Sequence, residues 1–171
     1  NNNLQIIALH EDMKNEINKM FNIDNTIVIK NGIDIDKFRN VLKTSKQKRK
    51  VLGIPEDAYV VGHIGRFTYQ KNHEFIVNVF NRISKINEKA FLLLVGEGKE
   101  KDNIENKLKE LNINNYLILS KRKDIPELLK AMDVFMFPSR YEGLSIAYLE
   151  VQASGLPSVV SDNINPQSFL S

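Results

Sequence analysis

The fold of this chain is decided by the stretch Tyr59-Val-Val-Gly-His-Ile-Gly-Arg-Phe-Thr-Tyr-Gln-Lys-Asn72. Residues 59–64 form a nearly continuous apolar run, which is typical of a β-strand that is buried on both faces. After a glycine turn, apolar residues recur at helical spacing over residues 75–86, and Asn72 is a residue type that favours helix N-caps. The stretch therefore predicts a strand that passes through a short loop into a helix.

The same alternation of strand and helix continues through the chain. Apolar runs predict seven strands, at residues 4–9, 26–29, 59–64, 91–95, 116–119, 134–137 and 158–160. Apolar residues at helical spacing predict helices at residues 75–86, 104–111, 125–132 and 144–153. The least regular span, residues 31–57, is expected to hold one short basic helix. This alternation favours an α/β fold with a Rossmann-like, doubly wound and mostly parallel sheet.

Composition limits the class of protein. A chain of 171 residues is long enough for one domain with its own core. The net charge is +3 and the basic residues are dispersed, which argues against a nucleic-acid partner. The chain has no cysteine, so a disulfide framework is excluded and a reducing compartment is compatible. The basic run at residues 43–50 is interpreted as a solvated loop or helix face, and contact with anionic lipid is the alternative.

Three loops that follow predicted strands contain residues suited to binding phosphate: residues 65–72, 96–98 and 138–143. Ligands of a doubly wound sheet bind outside the carboxyl ends of its strands, so these loops are expected to meet at one edge. Gly65 would allow the backbone to approach a ligand closely, while Arg66 offers a planar fork and Lys71 a point charge for phosphate oxygens. The alternative is a surface turn with two solvated cations.

Two glutamates, Glu142 and Glu150, bracket seven residues that follow a Pro-Ser turn. Between them, Gly143 and Leu144 are predicted to open a helix whose free backbone N–H groups and dipole would hold an anion. Two carboxylates beside an anion site suit a polyhydroxylated ligand with a charged centre. Glu142 would accept hydrogen bonds from sugar hydroxyls and Glu150 from ribose hydroxyls. The alternative is a glutamate that stabilises the helix dipole and an exposed glutamate in mid-helix.

The remaining motifs are less specific. Leu94-Val-Gly-Glu-Gly98 lacks the third glycine of the dinucleotide fingerprint, and we interpret it as a tight strand-to-helix turn near the sugar or phosphate. Asp34 and Asp36 are interpreted as part of a turn, with a metal site as the alternative. His63 is expected to have a structural role in a buried strand. No residue is assigned to a metal.

Taken in order, these motifs resemble those of the retaining glycosyltransferases of family four, which have the GT-B fold. The resemblance covers nearly the whole chain and is greatest to the bacterial capsule and exopolysaccharide branch. The matching segments are Val28-Ile-Lys-Asn-Gly-Ile-Asp34 with Phe38, Gly65-Arg66 with Lys71-Asn72, Leu94 to Gly98, Asp133-Val-Phe-Met-Phe-Pro-Ser139, Glu142 to Glu150, and Gly155-Leu-Pro-Ser-Val-Val-Ser161.

The resemblance implies roles for the matching residues. Arg66 and Lys71 would hold the diphosphate of the donor together with the backbone amides of Gly143 and Leu144. Glu142 would contact the transferred sugar and Glu150 the ribose, while residues 120–125 would lie near the base. The family uses no metal or cofactor for catalysis.

The resemblance also implies a place in a larger enzyme. Residues 1–171 would form the C-terminal, nucleotide-sugar-binding half of a GT-B glycosyltransferase, truncated at both ends. That enzyme would move a hexose, with retention, from a UDP- or GDP-sugar to a glycan or lipid-linked acceptor in bacterial surface polysaccharide synthesis.

The N-terminal acceptor domain of the family has no counterpart here, so we expect these residues alone to bind nucleotide without transferring sugar. The enzyme is expected in the cytoplasm, with peripheral contact at the inner face of the cell membrane through the acceptor domain. Two alternatives are left open: a noncatalytic nucleotide-binding module, and a nucleotide-sugar epimerase or glycan phosphorylase on the same fold.

Overall fold

The computed structural model describes residues 5–143 and 145–164, so the predicted residues Leu4 and Leu144 lie outside it. The strands are β1 (Ile6–Ala8), β2 (Thr26–Val28), β3 (Tyr59–Ile64), β4 (Ala90–Val95), β5 (Tyr116–Leu119), β6 (Val134–Phe137) and β7 (Ser158–Val160). The helices are α1 (Glu11–Phe21), α2 (Ile35–Arg39), α3 (Ser45–Leu52), α4 (His73–Ile86), α5 (Lys101–Glu110), α6 (Ile125–Lys130) and α7 (Ile146–Ser154). A short 3-10 turn, Tyr69–Lys71, precedes α4.

Five strands form one parallel sheet in the order β5-β4-β3-β6-β7. The chain moves outward from β3 through β4 to β5, and then returns to the other side of β3 with β6 and β7. Val61 of β3 is consequently opposite Leu92 on one side and Val134 on the other. The direction of winding reverses between β3 and β6, which makes the gap between their carboxyl ends the topological switch point.

Helices cover both faces of this sheet, because alternate strand residues are apolar on each face. One face packs against α6 and α7, and its buried residues include Val60, Leu93, Phe135, Leu128, Leu129 and Val151. The other packs against α4 and α5, and its buried residues include Val61, Leu92, Leu94, Ile76, Phe80 and Leu108. The predicted doubly wound α/β fold is confirmed.

The structure differs from the prediction in how the strands are distributed. β1 and β2 pair with each other in a separate two-stranded parallel sheet. Burial on both faces was predicted for all strands and is wrong for four of them. β5 and β7 are the edges of the main sheet and are at most half-buried. In the small sheet, Ile7 of β1 is exposed and two of the three residues of β2 are half-buried. Helix α1 was not predicted. None of the helices in the described residues has the length and apolar composition needed to span a membrane.

The basic run forms the predicted helix, α3, but the expectation of a solvated face is wrong for two of its cations. Lys48 and Arg49 are buried, at 2% and 7% exposure. The ammonium of Lys48 pairs with Asp124 and Glu127, and Nη2 of Arg49 donates to Oδ2 of Asp133 at 2.7 Å. Carboxylates that are distant in sequence compensate these buried charges, and these two side chains are therefore not available to a lipid surface.

Candidate functional site

An ion pair lies at the switch point of the sheet. Lys71 follows β3 and Glu142 follows β6, and Nζ of Lys71 lies 2.5 Å from Oε1 of Glu142. Both side chains are largely buried, at 12% and 7% exposure. The Lys71 ammonium also lies 5.3 Å from the centre of the Phe137 ring, which adds a cation–π contact. Two of the predicted ligand residues are thus brought together from positions far apart in the sequence.

Further contacts join the two loops that contain this pair. The backbone N–H of Arg140 donates to the carbonyl of Gln70 at 2.8 Å, and Nε2 of Gln70 donates to the carbonyl of Tyr141 at 2.9 Å. The Arg140 guanidinium lies over the Tyr69 ring and donates to Oδ1 of Asn72 at 3.0 Å. Asn72 occupies the predicted N-cap position of α4, but its side chain makes no cap hydrogen bond and bonds the loop after β6 instead. The sequence analysis did not predict these contacts, because each joins residues of two different loops.

Beside the ion pair, a cavity of about 550 Å³ opens at the carboxyl ends of β3, β4 and β5. Gly65 and Arg66 line one side, residues 96–98 another, and Lys121 and Arg122 of the loop after β5 a third. The Arg66 side chain is exposed and forms no ion pair with any described residue. Two of the three predicted phosphate loops, residues 65–72 and 96–98, therefore share this cavity with the segment 120–125 that the resemblance places near the base, and the exposed Arg66 lies at its edge. The third predicted loop, residues 138–143, meets residues 65–72 through the Lys71–Glu142 pair and does not line the cavity.

Two glycines allow the loop after β4 to pack on the loop after β3. A Cβ atom at Gly96 would collide with the carbonyl of Gly65, and one at Gly98 with the carbonyl of Phe67. The N–H of Phe67 donates to the carbonyl of Glu97 at 2.9 Å, which joins the two loops. The tight turn predicted for this motif is confirmed, and its glycines are required by close backbone packing.

A second cleft, of about 600 Å³, lies between Glu142, Gly143 and the start of α1. His10 caps α1 by accepting the N–H of Met13 at Nδ1, at 3.2 Å. A ligand held by Glu142 would therefore face the first turn of α1. The helical spacing of Met13, Ile17 and Met20 is the signal that could have predicted this helix.

The helix after Glu142 begins later than predicted. Helix α7 starts at Ile146 with Ser145 as its N-cap, two residues beyond the expected start at Leu144. The amide of Gly143 is consequently not one of the free N–H groups of the first helical turn, and the expected helix-end site is wrong in that respect. Leu144 lies outside the described residues. Phosphate binding by the Gly143 amide stays a prediction.

Glu150 lies on α7 and is half-buried. Burial raises the pKa of its carboxyl, and the charge of Lys37 on α2 acts in the opposite direction. Its environment is therefore a helix-packing surface, where a carboxylate would gain from a hydrogen-bond donor such as a hydroxyl. The ribose contact of Glu150 stays a prediction.

A pair of buried histidines lies beneath the loop after β3. The rings of His63 and His73 meet edge to face with centres 4.7 Å apart, and Nδ1 of His63 lies 2.7 Å from the carbonyl oxygen of Met136. A Cβ atom at Gly65 would lie 2.6 Å from Nε2 of His63, so the ring fits only beneath a glycine. Burial lowers the pKa of His63 to about 4 and that of His73 to about 2. The burial expected for His63 is confirmed.

The acidic pair near the start of the chain belongs to a helix. Oδ1 of Asp34 accepts the N–H of Lys37 at 3.3 Å and caps α2, while Asp36 lies in the first turn of that helix. The expected turn is therefore a helix start. Within residues 5–143 and 145–164, no group of three or more histidine, aspartate or glutamate side chains is arranged to hold a metal.

Comparison with known proteins connects this geometry to a family. Residues 44–170 match the glycosyl transferases group 1 family. The chain is 34% identical over 172 residues to the UDP-Gal:alpha-D-GlcNAc-diphosphoundecaprenol alpha-1,3-galactosyltransferase of Escherichia coli, covering 97% of this chain and 44% of that protein. It is 34% identical over 138 residues to EpsF of Bacillus subtilis, which is named a glycosyltransferase, covering 80% of this chain and 36% of that one.

Solved structures agree on the fold. HepE of Anabaena in complex with UDP and glucose superposes with a TM-score of 0.78 at 23% identity, covering 92% of this chain and 44% of that one. The chain thus spans less than half the length of these relatives. Since the family match extends over most of the sequence, the chain belongs to the glycosyl transferases group 1 family and has the fold of one half of a GT-B glycosyltransferase.

Proposed function

We propose that this chain is the donor-binding half of a retaining hexosyltransferase in bacterial surface polysaccharide synthesis. The enzyme would move a hexose from a nucleoside diphosphate sugar to a glycan or lipid-linked acceptor, with no metal or cofactor. The name of the Escherichia coli relative specifies a UDP-galactose donor and an acceptor on diphosphoundecaprenol, and HepE was solved with UDP. We therefore favour UDP over GDP. A lipid-linked acceptor would require a cytoplasmic enzyme in peripheral contact with the inner face of the cell membrane.

The observation that supports this proposal most is the Lys71–Glu142 pair at the switch point, next to the cavity edged by Arg66. A nucleoside would occupy the cavity, and its diphosphate would lie between Arg66 and Lys71. The sugar would then lie against Glu142, in the cleft that faces α1. Such an order along the sheet edge matches the order of the parts of a nucleoside diphosphate sugar.

Catalysis would be mainly electrostatic. Negative charge develops on the departing diphosphate as its bond to the anomeric carbon breaks, and Arg66 and Lys71 are the cations placed to stabilise it. The carboxylate of Glu142 is engaged by Lys71, which suits a residue that orients sugar hydroxyls and does not attack the anomeric carbon. Retention by same-face attack is what the family resemblance implies.

A binding titration tests the donor-site assignment. We expect the protein to bind UDP and UDP-sugars in preference to GDP and ADP. Glu150→Ala should bind UDP more weakly, because the ribose loses a hydrogen-bond acceptor, whereas Glu110→Ala on the exposed end of α5 should bind it normally. A folded protein that binds none of the three nucleotides would refute the proposal.

Arg66 provides a sharper test, because its side chain has no ion-pair partner among the described residues and can be removed without leaving a buried charge. Arg66→Ala should weaken UDP binding by about 10- to 100-fold, the factor expected for one charge-assisted contact. The thermal midpoint without ligand should not change. Arg82→Ala, which removes an exposed arginine of α4, is the control. Equal UDP affinity in both variants would remove Arg66 from the diphosphate site.

A further inference from the structure

Lys48 is among the largest fully buried side chains of the described residues, and its charge needs an explanation. The residue is 2% exposed, on α3, and its ammonium donates to the carboxylates of Asp124 and Glu127. Burying a lysine costs free energy unless its charge is fully compensated, and an apolar residue at the same place would often stabilise the fold equally well. Stability alone therefore gives little reason for a lysine at this position.

The partner of Lys48 connects it to the cavity. The Asp124 carboxylate also accepts two hydrogen bonds from Arg122, from Nε to Oδ1 and from Nη2 to Oδ2, each at 2.8 Å. Arg122 lines the cavity of about 550 Å³ together with Gly65 and Arg66. A series of ion pairs thus extends from the protein interior to the cavity wall, from Lys48 through Asp124 to Arg122.

Asp124 bonds both cations with its side chain. It occupies the N-cap of α6 but makes no side-chain cap hydrogen bond, so its carboxylate is directed to the two cations. The hydrogen bonds from Arg122 and from Lys48 outweigh burial and hold the pKa of Asp124 well below its usual range. Burial acts against the ammonium of Lys48, but its hydrogen bonds to Asp124 and Glu127 raise its pKa overall. All three groups therefore stay charged near neutral pH.

We propose that Lys48 is a positioning residue for recognition of the donor base, and that it acts by fixing Asp124 and, through it, the Arg122 guanidinium in the cavity wall. This inference rests on the proposed function, in which the cavity holds the nucleoside. Arg122 uses Nε and Nη2 on Asp124, which leaves Nη1 and the planar face for the base. A fixed donor of this kind suits a base with carbonyl oxygens, such as uracil.

The test compares UDP with inorganic pyrophosphate, because pyrophosphate carries the diphosphate charge without the base. Calorimetric titrations are made on the wild-type protein, Lys48→Met and Lys43→Met. Lys43 is the matched control: its ammonium also bonds Glu127, at 3.1 and 3.2 Å, but its side chain is exposed. We expect Lys48→Met to weaken UDP binding about tenfold and pyrophosphate binding less than about twofold, and Lys43→Met to change neither.

The same titrations distinguish an error in the role of Lys48 from an error in the proposed function. An unchanged ratio of UDP to pyrophosphate affinity in Lys48→Met would overturn the inference, since a purely structural lysine lowers stability without affecting the base. A wild-type protein that binds pyrophosphate but no nucleotide would overturn the proposed function as well.

A second variant keeps the inference testable if Lys48→Met does not fold. Arg122→Gln changes a side chain that is 39% exposed, so it should fold normally. It should show the same selective loss for UDP, and the double variant of Lys48 and Arg122 should lose little more than either single variant, because both act on one contact. UDP affinity equal to wild type in Arg122→Gln would overturn the inference.

Discussion

At the scale of single residues, the buried histidine pair makes the stability of the protein depend on pH. Among the described residues, both nitrogens of His73 and Nε2 of His63 lack a hydrogen-bond partner. Burial holds the pKa of His63 at about 4 and that of His73 at about 2, compared with 6.5 for a solvated imidazole. Below pH 6.5 these two imidazoles therefore bind protons in the unfolded chain but stay neutral in the folded chain.

The sign of the effect follows from this difference. Well above pH 6.5, neither form of the chain binds protons on these imidazoles, so they do not change the free energy of unfolding. This free energy falls as the pH is lowered through 6.5 toward 4. The fall should be about 1.4 kcal/mol per pH unit for each imidazole. His73→Phe keeps an aromatic ring against Phe67 and should remove about half of this slope, as measured by urea unfolding between about pH 7 and pH 5.

A control variant distinguishes the effect of the buried pair from that of His10, the third histidine of the chain. His10→Asn keeps a capping side chain at the start of α1 and should leave most of the slope in place. If His73→Phe and the wild-type protein lose stability equally as the pH falls, the His73 imidazole is not the group that takes up the proton.

The residues of the candidate site were predicted from the sequence one at a time, and their roles stay predictions. Gly65, Arg66, Lys71 and Glu142 were identifiable because each belongs to a loop that follows a predicted strand and has a residue type suited to binding a phosphate or a sugar. That Lys71 and Glu142 form one largely buried pair could not be predicted, because the contact depends on the order of strands in the sheet. The same limit explains Lys48, since a basic run gives no sign of the distant carboxylates that allow one member to be buried.

At the scale of elements, the loop after β4 supports the loop after β3. Gly96 has a φ of +151°, and its missing Cβ leaves room for the carbonyl of Gly65. Gly96→Ala should lower the free energy of unfolding by about 1–3 kcal/mol, because the backbone is strained and the two loops are forced apart. It should also weaken UDP binding, since Gly65 and Arg66 would be displaced from the cavity.

Chemical denaturation and a UDP titration measure both effects. Gly32→Ala is the control, because nothing lies within 4 Å of a Cβ atom at that position. If Gly96→Ala is as stable as Gly32→Ala, close packing of the two loops is not the reason for this glycine.

The bounds of strands and helices were predicted best for the strands of the main sheet. The bounds of β3, β5, β6 and β7 agree with the apolar runs, because each strand must place apolar side chains against a helix layer. Helix α7 was predicted two residues too early, because an apolar residue after a glycine does not distinguish a helix start from the loop before it. Helix α1 was missed because most of its residues are polar, so that the helical spacing of Met13, Ile17 and Met20 was overlooked.

At the scale of the whole molecule, β1, α1 and β2 form a small unit that differs from the five-stranded sheet. Their two strands have three residues each and, among residues 5–143 and 145–164, pair with no other strand, and α1 has no fully buried residue. Met20 and Phe21 are exposed by 75% and 63%, whereas the interior strand residues Val60 and Leu93 are fully buried. An isolated strand pair of this size contributes little cooperative stability.

We therefore expect the small unit to open before the main sheet. Backbone amides of β1, α1 and β2 should exchange with solvent deuterium through openings of lower free energy than those of β3 and β4, because fewer apolar contacts are lost when the unit opens. Native-state hydrogen exchange read by mass spectrometry measures this difference. β5 is the matched internal control, since it is also only half-buried but pairs within the five-stranded sheet. If β1, β5 and β3 exchange with the same opening free energy, the chain unfolds as one cooperative unit and the division into two sheets has no energetic counterpart.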